Sequence, residues 1–237
     1  MKRGQVTIFV VVGIIVVVLI LLVVYFRVEI TDFKKETFQS EKLITEEEAI
    51  RVLVQECVKK VTDIGVFIAQ KQSGNLYLRT EGVEFNSYTV PFVYDKGKVN
   101  IISIEQFQKD FNDYISQNIP HCIKSKASFE KIEARTILDE ELTIQVSYPF
   151  TIIIEGGSIR NDQGYEYINK VPIKEFLKIV KEVADETKEN PEAIHLAPLI
   201  TQEIFDSSTI LKQEKTIYVL KDFLRGDDYY FSTRRSS

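Results

Sequence analysis

The sequence predicts an α+β protein, with an N-terminal transmembrane helix followed by an extracytoplasmic domain of antiparallel strands and about three to four helices. Residues 6–26 form an uncharged apolar run, which at ~1.5 Å per residue spans the bilayer's hydrocarbon core of about 30 Å. Beyond residue 44, helical periodicity recurs at intervals, and short strand-like segments lie between the helices. Strands and helices do not alternate in a repeating β-α-β order, which favours the α+β class over the α/β class.

The apolar run has the length and flanks of a retained membrane anchor. A cleavable secretory signal has an apolar stretch of roughly 7–15 residues followed by small residues, whereas Tyr25, Phe26 and Arg27 follow here. A buried core helix would carry a polar stripe, and this run is apolar all round. Gly13 has no small partner four residues away, so the motif for close helix packing is missing. Self-association through this helix stays open.

The residues at the start of the chain, Lys2-Arg3-Gly4-Gln5-Val6-Thr7, resemble the class III signal peptide of archaeal type IV pilin-like proteins. In that family a prepilin peptidase cuts after the glycine. The resemblance therefore implies cleavage between Gly4 and Gln5, a cytoplasmic N-terminus and a C-terminal domain outside the cytoplasm. Pilins commonly carry Glu five residues into the mature chain, where this chain has Phe9, and this argues against a filament subunit. Residues 27–237 are similar to membrane-anchored proteins predicted from archaeal genomes, a resemblance that implies no activity.

Four parts of the chain follow from this interpretation. They are a leader-like basic segment at 1–5, the transmembrane helix at 6–26, a charged stalk at 27–44 and an α+β domain at 45–237. The domain is long enough for one large unit or for two lobes, about 45–125 and 126–237. The net charge is −5 with acidic and basic residues interspersed, which indicates a solvated surface and no nucleic-acid partner.

The chain has two cysteines, Cys57 and Cys122. Outside the cytoplasm an even count favours one disulfide, which would join the first helix of the domain to the end of the second. Two alternatives stay open. In the first, the cysteines are free thiols buried in the core. In the second, Cys122 and His121 bind zinc, although the sequence lacks the paired ligand spacing of zinc sites.

The first two helices of the domain carry signals for their ends. Thr45 and Glu48 form a capping box, and Gly74 lies in the stop signal that follows. Ser103 caps the second helix, with Gln106 as its partner three residues on, and Pro120 marks its end.

The third helix covers about residues 173–189, and a short fourth helix between 193 and 205 is broken by Pro198. The three longer helices carry apolar stripes at helical spacing. The stripes are Ile50, Leu53, Val54, Cys57, Val61, Ile64 and Ile68; Ile104, Phe107, Phe111, Tyr114 and Ile115; and Ile173, Phe176, Leu177, Ile179, Val180, Val183 and Ala184.

Strands are predicted wherever short apolar segments are bounded by turn residues. In chain order they cover residues 90–94, 99–102, 129–137, 142–154, 165–168, 216–220 and 229–233. Gly97 forms a hairpin turn between the first two. The fourth strand continues past Pro149, and Gly156-Gly157 then turns the chain so that residues 165–168 pair back. Residues 225–228 join the last two strands.

The sequence contains none of the standard catalytic or nucleotide-binding motifs, so we assign no catalytic, cofactor-binding or metal-binding residue and no cofactor. A nucleophile pair of Cys122 and His195 has no local support. Asp227-Asp228 lacks the spacing of a calcium loop. The triplet Arg225-Gly226-Asp227 is interpreted as a turn rather than as an adhesion signal.

These observations predict a single-pass, membrane-anchored cell-envelope protein with a structural or interaction role and no enzymatic activity. Its expected partners are the lipid bilayer and an envelope protein. One alternative is a membrane-anchored hydrolase whose site is assembled from residues distant in sequence. A narrower alternative is a pilin-like filament subunit. A deep pocket with a convergent acid, base and nucleophile would favour the hydrolase, and a flat aromatic face would favour the interaction role.

Overall fold

A computed structural model of the chain describes residues 45–154, 157–200 and 204–235. This part has four helices and strands that pair almost entirely antiparallel, which confirms the α+β class for the described residues. The predicted leader, transmembrane helix and stalk, at residues 1–44, lie outside it. Within the described ranges no helix is both long and apolar enough to cross a bilayer.

The elements, in chain order, are α1 (45–71), β1 (Gly82–Phe85), β2 (Tyr88–Asp95), β3 (Lys98–Val99), α2 (Ile104–Cys122), β4 (Ser128–Phe129), β5 (Glu133–Leu138), β6 (Leu142–Ser147), β7 (Phe150–Ile154), β8 (Gly157–Asn161), β9 (Gly164–Asn169), α3 (Ile173–Glu189), α4 (Ala197–Ile200), β10 (Phe205–Lys212), β11 (Lys215–Asp222) and β12 (Asp228–Arg234).

The largest sheet combines strands from both ends of the described chain. Its order is β1-β2-β12-β11-β10, and β3 also pairs with β2. Strand β12 runs parallel to β2, with Ser232 opposite Phe92, whereas the other pairs in this sheet are antiparallel. The Ser232 hydroxyl donates to the Val90 and Pro91 carbonyl oxygens, both at 3.1 Å. The last described strand therefore lies in the middle of the sheet.

Two three-stranded sheets, β4-β7-β8 and β5-β6-β9, form the rest of the β structure. The prediction of one strand running through Pro149 is wrong, because β6 ends at Ser147 and β7 begins at Phe150 in the other sheet. Proline has no N–H to donate to a ladder, so the chain changes sheets there. Residues 165–168 do pair back, with Tyr165 opposite Val146. The predicted strand at 129–137 is divided between β4 and β5.

The helices agree more closely with the predictions. The Ser103 hydroxyl accepts from the Gln106 backbone N–H at 3.1 Å, as an N-cap should. Pro120 does not end α2 as predicted, because the helix continues to Cys122 with the proline exposed in its last turn. Helix α3 has the predicted extent. Helix α4 is only four residues long, and the predicted helix up to residue 205 is wrong because Phe205 starts a strand paired with β11.

One core joins α1, α2 and α3 to the large sheet and to β5, β6 and β9. Helices α1 and α2 approach closely at Gly65, where an added Cβ would lie 3.0 Å from the Phe111 ring. The Phe176 ring in α3 contacts the rings of Tyr229 and Phe231 in the sheet. Ile64 departs from its predicted buried stripe, since it is 44% exposed.

Candidate functional site

The two cysteines lie together where α1 passes the end of α2. The Cys57 and Cys122 sulfurs are 2.10 Å apart and the Cα atoms 5.8 Å apart, at disulfide-bonding distance. Neither cysteine is a free thiol. The alternatives of buried free thiols, of a zinc site at His121 and of a nucleophile pair with His195 each need a thiol or thiolate that this arrangement does not provide. The predicted processing residues Gly4 and Gln5 lie outside the described residues.

His195 belongs to the chain that leaves α3. Its Nδ1 atom lies 3.1 Å from the Glu186 carboxylate and its Nε2 atom 2.9 Å from the Asn190 carbonyl oxygen. Both partners lie at the C-terminal end of α3. The ring therefore ties the α3–α4 connection to the helix. His121 is exposed in the last turn of α2.

A polar network joins α1, β9 and the β11–β12 connection. Asp63 in α1 accepts hydrogen bonds from the Tyr167 hydroxyl at 2.9 Å and the Asn169 amide at 2.8 Å. The side-chain oxygen of Asn169 accepts a hydrogen bond from Arg225 at 3.3 Å, and Arg225 also donates to the Asp227 carboxylate at 3.0 Å. Burial and the hydrogen bond to Asp63 raise the pKa of Tyr167 to about 12. Arg225 and Asp227 lie in the turn between β11 and β12, as predicted, and Arg225 also links that turn to β9.

The β11–β12 connection is held in one conformation by Asp222, which is 2% exposed. The Asp222 carboxylate accepts from the backbone N–H groups of Leu224 at 2.8 Å and Arg225 at 3.2 Å. The Asp222 backbone N–H donates to the Asp227 carbonyl oxygen at 2.9 Å, and Gly226 closes the turn with φ +73°. This is an Asx-type turn with several backbone hydrogen bonds, so its tip has little freedom.

The tip of this connection presents two large apolar side chains to solvent. Phe223 is 63% exposed and Leu224 is 92% exposed. Adjacent exposed apolar side chains on an ordered turn form a candidate contact surface for another molecule. Neither residue belongs to a recognisable sequence motif. The one available signal was the pair Phe223-Leu224 standing immediately before a glycine turn, where solvated polar residues are usual.

The side of the large sheet opposite α3 carries a second apolar cluster, which we call the aromatic face. Its buried members are Val83, Val90, Phe92, Ile217 and Tyr230, and Phe85 and Tyr88 pack against them half-buried.

Cationic side chains lie over the rings of the aromatic face. Lys71 Nζ is 4.3 Å from the centre of the Tyr230 ring, and the Arg234 guanidinium is 4.7 Å from that of Phe92. Lys212 and Lys215 lie farther from their rings, at 5.9 and 5.8 Å. Such contacts are favourable because the ring face is electron-rich.

Lys71 is the most enclosed of these cations, at 8% exposure. Its ammonium donates to the Asp228 carbonyl oxygen at 2.6 Å. Burial lowers the pKa of Lys71, against the opposing effect of the nearby Asp228 and Asp227 carboxylates. Because the ammonium is already bonded and stacked on Tyr230, its position indicates a structural role at the end of α1.

The clearest apolar groove lies between α3 and the segment that leads into α2. It has a volume of about 450 Å³, with Ile101, Ile102 and Leu177 among its lining residues. The Ser103 hydroxyl in its wall is occupied as the α2 N-cap. Its charged residues are lysines and glutamates on the rim, such as Lys174 and Glu105, with no nucleophile–base pair. Within the described ranges no three His, Cys, Asp or Glu side chains cluster as a metal site.

Comparison with models of protein families, with curated proteins and with solved structures finds no match to this chain.

Proposed function

We propose that this chain is a single-pass, membrane-anchored cell-envelope protein whose domain lies outside the cytoplasm and has a structural or interaction role. The observation that carries the proposal is the Cys57–Cys122 pair at bonding distance. Disulfides persist in oxidising compartments and are rare in the cytosol. The apolar run at 6–26 supplies the anchor, and the basic residues Lys2 and Arg3 precede it.

An interaction role is better supported than catalysis by the surfaces of the domain. The ordered turn of β11–β12 presents Phe223 and Leu224 to solvent, and a backbone already held in one conformation loses little entropy when a partner covers it. The groove beside α3 holds no convergent acid, base and nucleophile, which a hydrolase site needs.

Thiol labelling of the full-length chain, denatured in detergent directly from native membranes so that the buried Cys57 becomes accessible, tests the compartment. We expect no labelled cysteine before reduction and two labelled cysteines after reduction, because both sulfurs are bonded to each other. A Cys57→Ser variant is the matched control, since its single Cys122 thiol should label under both conditions. Two labelled cysteines in the unreduced native chain would contradict the oxidising compartment.

Membrane fractionation and protease treatment of whole cells test the anchor and its orientation. We expect the chain to stay in carbonate-washed membranes and its domain to be cleaved by protease added outside. A chain recovered in the soluble fraction, or a domain cleaved only after cell lysis, would overturn the proposal. Mass spectrometry of the N-terminus addresses the leader separately. A mature chain that begins at Gln5 is expected, and an intact Met1–Gly4 segment would remove only the processing step.

A further inference from the structure

Strand β10 forms one edge of the large sheet in the part of the chain that the structure describes. Among the described strands it pairs only with β11, in an unbroken register from Phe205 to Lys212. Natural edge strands are commonly protected by short length, bulges, prolines or charges in the strand. Strand β10 is eight residues long, has no proline, glycine or bulge, and is uncharged between Asp206 and Lys212. Its outer edge therefore offers a row of backbone donors and acceptors to another strand.

The two charges of β10 select one antiparallel self-pairing. If two copies of β10 pair about Thr209, Asp206 of each copy lies directly opposite Lys212 of the other. Pairing centred on Asp206 or on Lys212 would instead set like charges opposite each other, which is unfavourable. Within its own sheet Lys212 lies opposite Lys215, so an aspartate on the open side would offset a local excess of positive charge.

The same register covers exposed apolar surface. Leu211 is 54% exposed at the end of β10. In the pairing about Thr209, it lies opposite Ser207 of the second copy, and its side chain is on the same face as Thr209. Cross-strand neighbours on one face are about 5 Å apart, so Leu211 would lose solvent contact without a clash with a large side chain.

We infer that β10 is a self-association surface, on which a second copy of this chain adds its own β10 strand antiparallel with a two-fold axis at Thr209. The inference rests on the proposed interaction role and names the partner. Such an interface is isologous, because the same residues serve both copies, and it uses the backbone hydrogen bonding of strand addition.

Cysteine cross-linking of the full-length chain in its membrane tests this register. A Thr209→Cys variant should form a disulfide-linked dimer on mild oxidation, because the two new thiols face each other across the axis. The native Cys57 and Cys122 are bonded to each other and do not interfere. A Ser207→Cys variant is the matched control on the same strand face. Its two thiols are four residues apart along the strand, ~14 Å, so it should not form the dimer.

Charge reversal in the Thr209→Cys background tests the ion pairs. Asp206→Lys and Lys212→Asp should each lower the cross-linked fraction by about fivefold, since the two-fold axis repeats every changed pair. The variant with both reversals should recover the original fraction. Retained Cys57–Cys122 bonding on a non-reducing gel checks that each variant folds.

Three results would overturn the inference. They are no dimer with Thr209→Cys, equal dimer yields at 207 and 209, and no recovery in the doubly reversed variant. A dimer held only by the membrane helix gives the first of these results, even where an amine cross-linker still captures it. Failure of the proposed function is recognised separately, since thiol labelling and fractionation report the compartment whether or not β10 pairs.

Discussion

Loss of the Cys57–Cys122 bridge should produce the largest single change in the stability of the domain. The bridge closes a loop with a sequence separation of 65 residues. In the loop-entropy account, a cross-link of that span raises the free energy of the unfolded chain by about 4 kcal/mol. The cost of removal is that amount in the reduced native chain, and somewhat more in a variant that also loses the packing of Cys57, which is 2% exposed.

Urea unfolding of the detergent-solubilised full-length chain, followed by circular dichroism, measures this cost. With an m-value of about 2 kcal/mol/M, the midpoint should fall by about 2 M urea on reduction. Reduced wild type keeps both side chains, so it isolates the bridge itself. The Cys57→Ala/Cys122→Ala variant is the control for the reductant, because its midpoint should be the same with and without it.

The reasoning fails if oxidised and reduced wild type differ by less than about 1 kcal/mol. That result would mean that the unfolded chain already holds α1 and α2 together, or that the cysteines are not bonded in the protein. A reductant effect in the double alanine variant would show that the reductant acts elsewhere.

Three further predictions concern local contacts, all measured by urea unfolding. Ser103→Ala should cost about 1 kcal/mol through loss of the α2 cap, and Ser103→Thr should cost clearly less. Gly65→Val should cost about 1–3 kcal/mol, because an added Cβ already lies 3.0 Å from Phe111; near-native stability would argue against this close crossing. The pKa of Tyr167 is raised to about 12 from an ordinary 10.0. Its contribution to the stability of the fold is therefore fully present below pH 10 and is lost as the pH rises from 10 to 12. Tyr167→Phe should flatten that decline, and an unchanged slope would contradict it.

Features set by local chemistry were predictable from the sequence. Ser103 starts α2 because a hydroxyl at that position satisfies a free backbone N–H. The apolar stripe of α3 predicted its full extent because burial of one helix face outweighs other influences. Gly97 marked the β2–β3 turn, where φ is +95°. The cysteine pairing was predictable because only one pair exists.

Features set by distant partners were not predictable. Strand β10 has a Ser-Ser-Thr centre without clean alternation, and it is a strand because β11 pairs with its whole length. The β1–β2 turn was missed because Asn86 and Ser87 adopt positive φ there without a glycine. The exposed pair Phe223-Leu224 became recognisable as a candidate contact surface only once the Asp222 carboxylate was seen to fix the turn.

The central position of β12 determines when the large sheet can form during synthesis. The Ser232 hydroxyl bonds to Val90, 142 positions earlier in the chain, and β12 separates β2 from β11 in the sheet. A nascent chain that lacks residues 228–234 therefore holds two part-sheets with a strand-wide gap between them. Contacts of such long sequence separation form slowly. We therefore expect the sheet to close only after residues 228–234 have been synthesised.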